Sequence, residues 1–228
     1  MSNKQFLALP VTGDTFAEVR EKNRYYVDKT PYLKQVFSED EAVDENSLID
    51  GTTVLFLTRP RRFGKTMLMN MFESFLNINY EKPGDTSIQD NFFKGTKILE
   101  DQKFCKKYMG QFPVISITLK DVLGDSYEDA YFQLAGIVAD KVNEFGFLKD
   151  SPALNDDDKD TLSKLSNKDF LIKISAQTRY YITKAIASLS LMLYKHFNKQ
   201  VYVLIDEYDV HLAKAHAKDF HEKMVKLM

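Results

Sequence analysis

A β-type apolar run, Thr52-Thr-Val-Leu-Phe-Leu57, leads straight into Thr58-Arg-Pro-Arg-Arg-Phe-Gly-Lys-Thr66, and a segment with apolar residues at helical spacing follows at once. The continuous run Val54 to Leu57 suits a strand buried on both faces, as in a parallel sheet covered by helices. Behind the turn, Met67, Leu68, Met71, Phe72, Phe75 and Leu76 recur at offsets of three and four, which is one helical stripe and reads as core. A strand, a tight turn and a helix in that order restrict the chain to an α/β layered fold. The turn carries Gly-Lys-Thr. In such a turn backbone N–H groups and the helix N-terminus face an anion, Lys65 reaches terminal phosphates, and the Thr66 hydroxyl can ligate Mg²⁺. One position departs from the usual G-x-x-x-x-G-K-[ST] pattern: Arg59 stands where the first glycine belongs.

Bulk properties narrow the field. A chain of 228 residues with 44% hydrophobic and 13% aromatic residues has enough apolar surface for a core and the length of one domain. The formal net charge of −2 argues against a bulk polyanion binder. Cys105 is alone, which removes a disulfide framework and fits a reducing compartment. His196, His211, His216 and His221 read as surface residues, the last three at a five-residue spacing that does not share a helical face. Met1 to Pro10 lacks the apolar core of a secretory signal, and no apolar run approaches the ~20 residues of a membrane span. The expectation is a cytoplasmic, membrane-free protein.

Along the chain, residues 1–50 read as a lead-in, irregular or short-helical at first, anchored by Phe16, Val19, Tyr25, Tyr26 and Val27. Thr30-Pro31 starts a helix with Leu33, Val36 and Phe37 inward, Thr30 being a possible cap. The acidic stretch 38–50 reads as an exposed connection. Phe92-Phe93 and Ile98-Leu99 anchor short helical pieces, and Val114 to Leu119 is a second strand. Ser126-Tyr-Glu-Asp129 opens a helix that runs to Gly146. Residues 149–169, rich in Asp, Asn, Ser and Lys, read as an exposed insertion before a helix that ends near Phe197.

A third apolar run, Val201-Tyr-Val-Leu-Ile205, ends in Asp206-Glu207. A nucleotide hydrolase needs such a pair beside its phosphate loop: Asp206 to hold Mg²⁺ through its water shell, Glu207 to polarise the attacking water. Alone, Asp-Glu could be a polar turn ending a strand. Two buried-type strands, one leading to Gly-Lys-Thr and one ending in Asp-Glu, are hard to explain by chance.

Together these residues resemble the predicted AAA-ATPase-like family of prokaryotic P-loop proteins. The resemblance rests on Tyr25-Tyr-Val-Asp-Lys-Thr30, Thr58 to Thr66, Gln111-Phe-Pro-Val-Ile115 and Leu204-Ile-Asp-Glu-Tyr-Asp209, and covers residues 6–215. It accounts for Arg59, because P-R-R-x-G-K-T loops of this kind lack the first glycine. It implies an α/β P-loop NTPase of the additional-strand type, a parallel sheet of order 5-1-4-3-2 with helices on both faces, in a single domain over 1–228. The chain ends one helix after the Asp-Glu strand, so the expectation is a C-terminally truncated fold whose final strands are missing, or strands that close directly on each other.

The resemblance also implies the site. Arg61, Arg62, Phe63, Gly64, Lys65, Thr66 and Met67 would bind ATP, Thr66 and Asp206 would hold Mg²⁺, and Lys65 and Glu207 would be catalytic. Arg61 and Arg62 could instead meet a neighbouring subunit or be solvated. Asp209 could support the metal or cap a helix. Tyr26, Asp28 and Lys29 would lie near the base or serve packing. The function implied is Mg-dependent ATP hydrolysis coupled to a partner or further domain. The alternatives are a slow nucleotide-gated switch, a fragment without turnover or, more weakly, a small-molecule kinase. Relatives often carry a nuclease domain, through which nucleic acid would be a partner. No carboxylate followed by Glu-x-Lys marks such a core here.

Overall fold

The computed structural model describes residues 7–11, 13–37, 54, 64–122, 124–207, 221–225 and 227. Within the span read as one domain it forms two compact units, Met1–Phe112 and Pro113–Met228. The expected strand 54–57 lies outside the described residues except for Val54, which is exposed.

The first unit is built on helices α1 (Phe16–Glu21), α2 (Pro31–Phe37), α3 (Lys65–Leu76), α4 (Ser87–Phe92) and α5 (Gln102–Tyr108), with a 3-10 turn at Lys97–Glu100 before α5. Thr15 and Glu18 form a reciprocal capping box at α1, satisfying two N–H groups that the helix itself leaves open. The expected stripe of α3 is the centre of this unit: Leu68, Met71, Phe72, Phe75 and Leu76 are buried. Aromatic rings close over it. Phe75 lies edge-on to Phe93 at 5.2 Å and stacks on Phe104 at 5.8 Å, while Phe37 stacks on Tyr108 at 4.7 Å. The carbonyls at the end of α3 are taken up by the chain before the second unit: Gly110 N–H donates to Phe75 O (2.8 Å) and Phe112 N–H to Leu76 O (3.0 Å). Gly110 has φ +66, and a β-carbon there would stand 3.1 Å from Thr86 Cγ2, so glycine is favoured.

In the second unit, β1 (Val114–Thr118) and β2 (Tyr202–Asp206) pair in parallel, Val114 opposite Tyr202 and Thr118 opposite Asp206. Between them run α6 (Tyr127–Glu144), α7 (Asp156–Ser166), α8 (Lys168–Leu171) and α9 (Ala176–Phe197), and α10 (His221–Val225) follows. Each of α6 to α9 starts on a side-chain cap: Ser126, Asn155, Asn167 and Ser175 accept from backbone N–H groups of the first turn. The buried Tyr131 hydroxyl ties α6 to the others, lying 3.0 Å from Leu171 O and 2.9 Å from Thr178 Oγ1. Among the described residues no helix is long and apolar enough to cross a membrane.

Several expectations change. Residues 149–169 are not an exposed insertion: α7 buries Leu162 and Leu165, its Asp158 pairs with Lys195 of α9 at 2.7 Å, and Leu154 is also buried. The polar residues that suggested a loop are a cap and three first-turn aspartates, which favour a helix N-terminus. Tyr25 and Val27 are exposed rather than anchoring, while Phe16, Val19 and the half-buried Tyr26 face inward. Thr30 is fully buried, but its hydroxyl bonds Asp28 and Ile98. Helix α5, held by the Asp101 cap, was not expected. Strand β2 was expected to be buried on both faces, yet Val203 and Ile205 are 37% and 45% exposed, because only alternate residues of this strand turn toward covering groups.

The packing of α7 gives a direct test. Leu162→Ala removes a side chain that is 1% exposed and is expected to cost about 2–5 kcal/mol by denaturant unfolding. A change below about 0.5 kcal/mol would return this stretch to the exposed class.

Candidate phosphate-binding site

Gly64 is the N-cap of α3 with φ 74 and ψ 33, the left-handed region that a side chain disfavours. Its carbonyl accepts the Leu68 N–H at 3.0 Å, which starts the helix, and glycine has no side chain of its own to cap it. The first turn contains no acidic residue. This end of α3 therefore offers backbone N–H groups and the positive end of the helix dipole with no carboxylate in that turn to compensate them. Lys65, Thr66 and Met67 form the turn, with Thr66 exposed and Lys65 and Met67 half-buried. Arg61, Arg62 and Phe63 lie outside the described residues.

The segment Tyr26 to Thr30 is fixed against the same unit by a chain of side-chain bonds. Burial pushes the Tyr26 phenol up to about 12, so it stays protonated; its O–H lies 3.2 Å from Met71 Sδ of α3 and accepts the Lys29 N–H at 3.2 Å. Asp28 Oδ1 accepts from Thr30 N–H (2.9 Å) and hydroxyl (2.7 Å), and Oδ2 accepts the Lys97 N–H at 2.8 Å. Burial alone would raise the Asp28 carboxyl, but these donors outweigh it and hold it below the usual carboxylate range. Thr30 Oγ1 in turn accepts the Ile98 N–H at 3.2 Å. Lys29 projects to the phosphate turn: a β-carbon built on Gly64 would stand 2.9 Å from its Nζ. Sequence pattern marked Tyr26, Asp28 and Lys29 as a group; the approach to Gly64 had no signal in it.

In the second unit Asp206 ends β2 opposite Thr118, and the Asp206 carbonyl accepts the Leu119 N–H at 3.0 Å. Its Oδ1 accepts the N–H of Glu207 at 2.9 Å, so the carboxylate is oriented by the backbone it sits on. Glu207 itself has φ 59, the left-handed conformation, which turns the chain sharply off the strand axis. Both residues are half-buried, and Asp209 lies outside the described residues. An open groove of about 590 Å³ runs beside the C-terminal half of α3, past Asn70, Glu73 and Asn77. It is not the glycine end of the helix.

A curated protein of Azotobacter chroococcum mcd 1, described as an uncharacterized protein in the vnfD 5' region, is similar to part of this chain, at 41% identity over 71 residues. The similarity spans 31% of this chain and 11% of that protein. No solved structure matches the chain. The family described as predicted AAA-ATPase matches residues 10–228, nearly the full length and all of the motifs above. The chain belongs to that AAA-ATPase-like family.

Proposed function

We infer that this protein binds ATP at the N-terminus of α3 and hydrolyses it with Mg²⁺. The observation that carries the reading is the left-handed Gly64 at the head of a helix that opens Lys-Thr with no acid in its first turn, in a chain of an ATPase-like family. Gly64 lets the backbone approach phosphate oxygens, and Lys65 neutralises charge on the β- and γ-phosphates. Arg61, Arg62, Phe63 and Met67 complete the nucleotide-binding segment in this proposal.

The donors fit the metal such a site uses. Among the described residues no group of three or more His, Cys, Asp or Glu gathers as a metal site. A P-loop Mg²⁺ needs no such group, since a hydroxyl, one carboxylate, phosphate oxygens and water suffice. By the sequence motifs, Thr66 would supply the hydroxyl and Asp206 the carboxylate. When bound, the ion would supply positive charge that offsets the charge of the phosphates. Glu207 then has the role of polarising the attacking water, as general base at the end of β2. Its left-handed backbone supports a role there, because strain of this kind is retained where a side chain must be aimed. The β1–β2 pairing also supports the additional-strand order, in which the Asp-Glu strand lies beside the strand preceding it in the chain.

Titration with ATP and measured phosphate release test the assignment. Lys65→Ala is expected to weaken ATP binding by roughly 10-fold or more, the scale of a charge-assisted contact. Glu207→Gln is expected to keep binding and lower turnover by about 10²–10⁴. Absence of binding in the parent chain, with Lys65→Ala indistinguishable from it, overturns the reading. Chelation of Mg²⁺ should abolish phosphate release, and release that persists in excess chelator would remove Thr66 and Asp206 from their roles. The backbone at Glu207 is tested by stability alone: Glu207→Gly should be at least as stable as the parent and Glu207→Val less stable than Glu207→Gly by about 1 kcal/mol or more. Equal stabilities would contradict the left-handed conformation.

A further inference from the structure

We propose that Lys29 is a second phosphate-binding cation, contributed by the lead-in segment to the same anion site that Lys65 serves; this rests on the ATP-binding reading above. The position is built. Tyr26 fixes the segment to α3 through Met71, Asp28 fixes it to the Lys97 N–H, and the fully buried Thr30 fixes it to the Ile98 N–H. Every polar side chain of Tyr26 to Thr30 is thus spent on holding the segment in place, except one. The Lys29 ammonium makes no hydrogen bond or ion pair among the described residues, and the adjacent Asp28 carboxylate is saturated by Thr30 and Lys97.

The Lys29 ammonium stands at the end of α3 where the helix dipole favours an anion. Lys29 Nζ sits where a side chain on Gly64 would begin, 2.9 Å from that β-carbon position, at the positive end of a helix whose first turn holds Lys65 and no acid. A cation is disfavoured at a helix N-terminus. An oxyanion bound there reverses that term, accepting from the α3 N–H groups and from the Lys29 ammonium at once. The ligand class is a polyphosphate chain, and Lys29 acts on its phosphates rather than on the base.

The test uses the full chain with Mg·ATP and Mg·pyrophosphate as probes, in the parent, Lys29→Met, Lys29→Arg and Lys65→Ala. Lys29→Met is expected to weaken both probes by roughly 10–100-fold, as for loss of a charge-assisted contact, and Lys29→Arg to recover much of that loss. The melting temperature of the nucleotide-free Lys29→Met chain should be unchanged or slightly raised, because a repelled cation has been removed. Loss of ATP affinity with pyrophosphate affinity intact would place Lys29 at the base and overturn the proposal. So would a fall of several degrees in the nucleotide-free melting temperature, which marks a packing role. If the parent binds both probes and Lys29→Met binds them equally well, this proposal fails while the ATP site stands. If the parent binds neither, both fall together.

Discussion

Burial of one helical stripe sets the geometry of the first unit. Leu68, Met71, Phe72, Phe75 and Leu76 are buried, with Phe72 against Phe37 of α2 and Phe75 against Phe104 of α5 and Phe93 after α4. Each such side chain removed from water contributes about 1.5–3 kcal/mol before entropy is counted. That term fixes the rotation of α3 about its axis and so fixes where its first turn points. Gly64 and Lys65 inherit their placement from residues one to three turns away. The glycine end has no side chain of its own at the cap, and its first turn carries no acid.

The lead-in segment depends on the same helix from the other side. Tyr26 reaches Met71 in the middle of α3, and its ring stands edge-on to Phe16 at 5.2 Å, with the Arg20 guanidinium 5.6 Å from its centroid. Arg20 also donates to the Phe92 carbonyl at 2.6 Å, so α1, α4 and the Tyr26 segment are tied together at one corner. An aromatic ring with a polar tip suits this place: the body fills the apolar cluster while the hydroxyl orders the backbone of Lys29. A Phe at 26 would keep the packing and lose the turn.

In the second unit the parallel pair carries the acidic dipeptide. Parallel strands require a long crossover, and α6 to α9 supply it with four successive side-chain caps. The caps explain why so polar a sequence folds there. Each Ser or Asn satisfies N–H groups that would otherwise end a helix in water, and the few leucines at helical spacing do the burying. The Tyr131 hydroxyl between Leu171 O and Thr178 Oγ1 then fixes α8 and α9 against α6.

The sequence by itself determined the elements whose cause is local. The offsets of three and four in α3, the Ser126 cap, the β-rich runs at 114 and 202, and the Gly-Lys-Thr and Asp-Glu motifs could all be read from residue type and spacing, because propensity, capping and periodicity act over a few residues. Residues 149–169 failed that reading for a physical reason. A capping box and three aspartates look like a polar loop unless Leu162 and Leu165 are known to have a surface to cover. The exposure of Val203 and Ile205, the strained φ of Glu207 and the approach of Lys29 to Gly64 belong wholly to tertiary structure. Each depends on what packs against an element from a distant part of the chain, and no local pattern encodes it.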